Sequence, residues 1–241
     1  MCGVPPLTIP ANREGPPGIA NGGWLAGLLA DAADTPTSGT VTLRKPTPVE
    51  RPLTLVAGEG VAALSLDGVD LASLTVAVPD GQLAPRVSWQ EAVAAAPSYI
   101  GLVRHPFPGC VVCGSARAET DALCLRPGRL DQDVVAAPWR PATWTDDGRG
   151  LVTIPAVWAA LDCPSAWAID DEGRAVVLGR ITVRIDRVPR VGERLVVVGS
   201  VRERTSRRIA QCGSAVYDEA GKAVAVASTT WFAVDVATFA R

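Results

Sequence analysis

The hydrophobic pattern of the chain changes period in the same order twice. From Gly18 to Asp34 (GIANGGWLAGLLADAAD), Trp24, Leu25, Leu28, Leu29, Ala32 and Ala33 recur at i, i+4 and i+8, the stripe of an amphipathic or buried helix. Asn21 is its N-cap, and Asp34 and Pro36 close it. Strand-like runs follow at Gly39–Arg44, Leu53–Ala57, Val61–Leu66 and Leu71–Val78. Turn material parts them: Lys45–Pro52 with three prolines, Gly58–Gly60, and Asp67–Gly68. One helix followed by four strands predicts an antiparallel sheet wrapped around that helix.

The second half runs the same course. Ile154–Cys163 (IPAVWAALDC) is helical, with Pro155 in its first turn and Pro164 ending or kinking it. Strands follow at Val176–Ile185, Arg194–Glu203, Arg207–Tyr217 and Ala223–Ala233. The letters agree too: Val41-Thr42-Leu43-Arg44 matches Ile181-Thr182-Val183-Arg184, and Leu53–Val56 matches Leu195–Val198. The order points to a duplicated domain rather than a solenoid. Between the halves, Trp89–Ala96 reads as a short helix before Pro97 and Val134–Ala137 as a strand, with irregular backbone around Pro106, Pro108 and Gly109. The arm Met1–Pro17 is proline-rich, with one apolar run at Leu7–Ile9 fit for an edge strand.

Composition narrows the classes. Apolar residues make up 48% of 241 positions, enough for a sizeable core. A net charge of −2 gives no attraction to nucleic acid or anionic membrane, and no apolar run reaches the length of a membrane span. The N-terminus lacks the basic-then-apolar pattern of a secretory signal, so the six cysteines are expected as thiols in the cytoplasm. The single histidine, His105, excludes any mechanism that needs two imidazoles.

Gly22 and Gly23 are unusual in a helix's first turn, where glycine costs about 1 kcal/mol relative to alanine. Such a start lets a ligand approach free N–H groups at the positive end of the helix dipole, a setting for a polarised carbonyl oxygen or an oxyanion. Packing of the helix start against a strand is the plainer alternative. Asp162 stands on an otherwise apolar helical stretch, and a buried carboxylate needs a partner or a role; a solvent-facing helix end is its alternative.

GIANGGWLAGLLADA, HPFPGCVVCG, VVAAPWRP and VWAALDCPSAW, taken with the repeated strands, resemble the hotdog-fold thioesterase superfamily, and in particular actinobacterial double-hotdog, acyl-CoA thioesterase-like proteins. The resemblance implies an α+β, tandem hotdog. Two antiparallel sheets, each wrapped around a central helix, join into one continuous sheet with the helices side by side. Residues 1–100 would form the N-terminal hotdog, 101–132 a connector with the Cys-X-X-Cys turn, and 133–241 the C-terminal hotdog. Single-domain relatives often start the helix His-Gly-Gly and bind the thioester carbonyl there. Asn21-Gly22-Gly23 takes that place here, keeping the amides and losing the imidazole.

The resemblance further implies an acyl-CoA or other acyl thioester as partner and a carboxylate from the central helix as nucleophile or general base, which assigns Asp162. A Thr and a Gln from strands would help position water; Thr229 lies where the Gln falls, and Thr182 is a weak match for the other. Trp24 and Trp158 would line an acyl tunnel, with core packing as the default. Arg204, with Arg202, Arg207 and Arg208, either meets coenzyme A phosphates or forms a solvated hairpin turn. The function read here is acyl-CoA thioester hydrolysis. A non-catalytic acyl-binding module of the same fold is the alternative, and a dehydratase is disfavoured because His105 lies in the connector.

His105, Cys110, Cys113 and Cys124 form a second constellation. Cys110-Val-Val-Cys113-Gly is a knuckle-like turn suited to zinc, and Cys-X-X-Cys can be redox-active. The spacing to Cys124 is not diagnostic, so packed free thiols are the reading taken, with no metal and no cofactor assigned. Hotdog proteins often assemble further, so a homodimer of such chains is compatible with this reading.

Overall fold

A computed structural model describes residues 6–79, 84–169 and 175–239. The first five residues of the proline-rich arm lie outside the described residues. Eleven strands form one antiparallel sheet: β1 (Leu7–Thr8), β2 (Ser38–Leu43), β3 (Pro52–Gly58), β4 (Val61–Leu66), β5 (Val69–Thr75), β6 (Gly128–Asp131), β7 (Val134–Trp139), β8 (Ala175–Ile185), β9 (Leu195–Ser206), β10 (Ile209–Asp218) and β11 (Ala223–Val234). Their order across the sheet is β1-β3-β4-β5-β2-β8-β11-β10-β9-β7-β6. The helices are α1 (Gly22–Ala32), α2 (Trp89–Ala95), α3 (Ile154–Ala160) and α4 (Cys163–Ala168).

The duplication sets this order. Each half is a strand, a helix and four more strands, with β1 matched by β7, α1 by α3, and β2–β5 by β8–β11. The two segments that match by letter meet at the centre. β2 pairs antiparallel with β8, with Val41 opposite Ile181, and Thr40 Oγ1 lies 2.7 Å from Thr182 Oγ1. Thr182 is therefore spent on the seam between the halves. α1 packs on α3 inside the sheet's curve, as the resemblance implies.

Burial explains the strand sequences. In β9, Leu195–Ser200 are all buried because both faces are covered. Val197 joins the main core, while Val196 and Val198 pack outward under α2 with Ala92, Ala215 and Val226. A sheet covered on both sides needs a continuous apolar run rather than alternation. β3, bare on its outer face, alternates Leu53 buried with Val56 exposed.

One predicted element differs. The helix expected over Ile154–Cys163 stops at Ala160, and a separate turn of helix starts at Cys163. Pro164 in the first turn of α4 cannot donate a backbone hydrogen bond, and Asp162 takes φ −78°, ψ −82° between the two helices. Asp162 is thus at a helix junction, not on a helix face.

α1 and α3 touch closely enough that a Cβ on Gly27 would stand 2.5 Å from Pro155 Cα. Gly27→Ala is expected to destabilise the fold by about 2 kcal/mol despite alanine's better helix propensity, because the obstacle is backbone. Thermal unfolding should read this as a fall of roughly 4–8 °C.

Candidate active site

Asn21 caps α1: its Oδ1 accepts from the Trp24 amide at 2.8 Å. Its Nδ2 faces the other half of the chain and donates to Asp162 Oδ2 at 2.9 Å. The Gly23 amide donates to the same oxygen at 2.8 Å. A side chain on Gly23 would be impossible here, since its Cβ would stand 2.5 Å from Asp162 Cβ and 2.8 Å from Ala159 Cα. Asn21 and Gly23, both singled out from the sequence, thus meet Asp162, which lies 141 and 139 positions further along the chain.

This geometry corrects the expected division of labour. The Gly23 amide is taken by the carboxylate and is not free to hold a substrate carbonyl. The Gly22 amide has no partner among the described residues and borders a cavity. Asp162 is 1% exposed, and its second oxygen, Oδ1, has no hydrogen-bond partner among the described residues. Burial pushes its carboxyl up to about 7, against the opposing pull of the Gly23 and Asn21 donors.

The cavity holds about 670 Å³, within the range of small-molecule sites. Its floor includes Asn21, Gly22, Asp162 and Cys163; Leu25, Leu43, Phe107, Leu178 and Trp231 give it apolar walls. Four exposed cations border it: Arg44, Lys45, Arg104 and Arg129. None of these was assigned to the site by sequence reasoning, although Arg44 ends a predicted strand and Lys45 directly follows it, a place for a rim.

Other expected site residues lie elsewhere. Trp24 stacks on Trp144 with centroids 5.9 Å apart, and the Arg13 guanidinium lies over both rings. Trp158 is fully buried, its indole N–H donating to Pro36 O at 3.1 Å. Both are core residues outside the cavity lining. Arg204 pairs with Asp133 at 2.8 Å and does not border the cavity, so its hairpin is the solvated kind. Thr229 lies behind the wall: its Oγ1 accepts from the Trp231 indole at 3.0 Å and contacts Ser165 Oγ at 3.0 Å. It supports a lining residue without reaching the cavity.

The cysteine constellation is also rearranged. Cys124 turns its thiol to Arg117 O at 3.7 Å, away from the others. His105 Nδ1 accepts from the Phe107 amide at 2.9 Å, which leaves Nε2 to donate to Cys113 O at 3.1 Å, so neither nitrogen is spare. Cys163 takes their place. Its sulfur stands 3.7 Å from Cys110 Sγ, and Cys110, Cys113 and Cys163 all border the cavity. The signal was present, since Cys163 follows Asp162 directly.

Two solved structures match nearly the whole chain. A hotdog-fold protein of unknown function from Alicyclobacillus acidocaldarius has a TM-score of 0.60 at 15% identity, covering 93% of this chain and 90% of that one. The fold of this chain is a tandem hotdog. A TesB protein from Mycobacterium avium subspecies paratuberculosis gives the same tandem hotdog match, with a TM-score of 0.59 at 15% identity over 92% of this chain and 90% of that one. No protein-family model matches the sequence, and no curated protein matches it.

Because Asn21 both caps a helix and steadies a buried carboxylate, Asn21→Ala should cost about 2–3 kcal/mol in urea unfolding. Asn21→Asp keeps the cap, since Asp is as good an N-cap as Asn, yet should cost more, because it sets two carboxylates together in a buried site.

Proposed function

We propose that the tandem hotdog hydrolyses acyl thioesters of coenzyme A, with Asp162 as general base. The observation that carries this reading is the unpartnered Oδ1 of a buried carboxylate bordering a cavity beside a helix N-terminus. A water at Oδ1 would give one proton to Asp162 as its oxygen adds to the thioester carbonyl carbon. The Gly22 amide, free of protein partners, would donate to the carbonyl oxygen as charge develops there. Collapse of the tetrahedral species breaks the carbon–sulfur bond, and the leaving thiolate takes up the proton from Asp162. Arg44, Lys45 and Arg104 at the rim would meet the coenzyme's phosphates, the task first considered for Arg204.

One observation favours a second reading, a module that binds acyl thioesters without cleaving them. With the Gly23 amide held by Asp162, one donor is left at the helix start where two were expected. A cytoplasmic setting accords with the chain's many thiols, and no helix among the described residues is long and apolar enough to cross a membrane.

A panel of acyl-CoAs with detection of released thiol separates the two readings. Hydrolysis predicts turnover that Asp162→Asn lowers by about 10²–10⁴-fold with the fold intact. Saturable binding of the panel without thiol release would instead establish the module. Arg44→Ala with Lys45→Ala should raise KM and leave kcat near its original value, since these groups touch only the part of the ligand that does not react.

A further inference from the structure

We propose that Cys110, Cys113 and Cys163 hold a single zinc ion at the cavity floor. Three sulfurs about 2.3 Å from one tetrahedral zinc stand about 3.8 Å apart. Here Cys110 and Cys163 are 3.7 Å apart, and all three sulfurs lie within 4.8 Å of one another. All three residues are buried.

One polar side chain is aimed at the sulfurs. Asn21 Nδ2 lies 3.9 Å from Cys110 Sγ and 3.8 Å from Cys163 Sγ. A neutral thiol is a weak acceptor with little call for a donor, whereas a metal thiolate is held and oriented by one. Cys212 is the contrast: it is equally buried but packs in the core and belongs to no cluster.

The turn itself is fixed. Gly114 closes it, with its amide 2.9 Å from Cys110 O, in a space where a Cβ would stand 2.4 Å from Pro108 O. Val111 and Val112 are pinned by amides from Leu123 and Leu125. Three sulfur ligands leave a fourth position, and since all three cysteines border the cavity, that ligand is supplied from the cavity side. Binding releases the three thiol protons to solvent, and the ion ties the connector to α4. A disulfide would use only two of the three sulfurs.

The test uses the full chain, purified under reducing conditions, with the metal alone as probe. Elemental analysis should find close to one zinc per chain. After chelation, Zn²⁺ should rebind stoichiometrically, and Co²⁺ should give the intense visible bands and sulfur-to-metal charge transfer of tetrahedral thiolate ligation. Cys110→Ser and Cys163→Ser should abolish retention, Cys124→Ser and Cys212→Ser should not, and Asn21→Ala should weaken zinc by about 10–100-fold. If the serine variants misfold, alkylation of the native chain with peptide mapping replaces them: zinc should protect Cys110, Cys113 and Cys163 selectively. Failure of the chain to bind Zn²⁺ or Co²⁺, undiminished binding in Cys163→Ser, equal alkylation with and without zinc, or a mapped Cys110–Cys163 disulfide under reducing conditions would each overturn the site. No acyl substrate enters any arm, so the result is separate from that on hydrolysis.

Discussion

The burial of one carboxylate constrains the whole centre of the molecule. Asp162 is buried at the junction of α3 and α4, where an ion without partners would be prohibitively costly. The first half of the chain meets that demand from the start of α1, through the Gly23 amide and the Asn21 side chain. The positive end of the α1 dipole adds to the same effect. For those donors to reach, α1 must approach the junction of α3 and α4 without a side chain between, which is why a residue with no Cβ stands at position 23. One oxygen is satisfied by these donors, and the other has no hydrogen-bond partner among the described residues.

The same contact explains why duplication does not give two equal sites. Gly23 packs on Ala159, and Gly27 packs on Pro155. Those two contacts are exchanged by the two-fold relating α1 to α3, so Gly23 corresponds to Pro155, Gly27 to Ala159, and Asp162 to Ala30. In the second copy the carboxylate is an alanine, and the amide that would bind it belongs to a proline, which has no N–H. That end of the helix pair was free to become packing. The cavity borders the start of α1 and touches no residue of α3.

What could be read along the chain follows the range of the forces involved. The N-cap at Asn21 and the bounds of β4 depend on neighbours a few residues away and were legible to the residue. The pairing of Val41 with Ile181 was legible only as likeness of letters, because a duplicated sheet joins its copies through like strands. Asp162 stood out as an acid in an apolar stretch, but its partners lie in the other half and no spacing could name them. Cys124 was grouped with Cys110 and Cys113 by nearness in sequence. Cys163 displaced it by nearness in space, 53 residues from Cys110. Trp24 and Trp158 were placed on the right helices, yet which face of a helix meets a cavity depends on how its twin packs against it. Arg204 failed for a simpler reason: β9 runs far enough beyond the core to carry it out to Asp133.

The identity of residue 21 follows from counting donors. Its side chain gives one acceptor to the Trp24 amide, one N–H to Asp162, and leaves a second N–H on the side of the Cys110 and Cys163 sulfurs. A neutral histidine has one acceptor and one donor, so it could cap the helix and hold the carboxylate but offer nothing to the sulfurs. Serine has a single hydroxyl proton, and aspartate has none to give. Among the good N-cap residues, asparagine alone supplies an acceptor and two donors from one planar group. This chain has a carboxylate and a cysteine cluster to serve from one position, and the amide is the side chain that meets both.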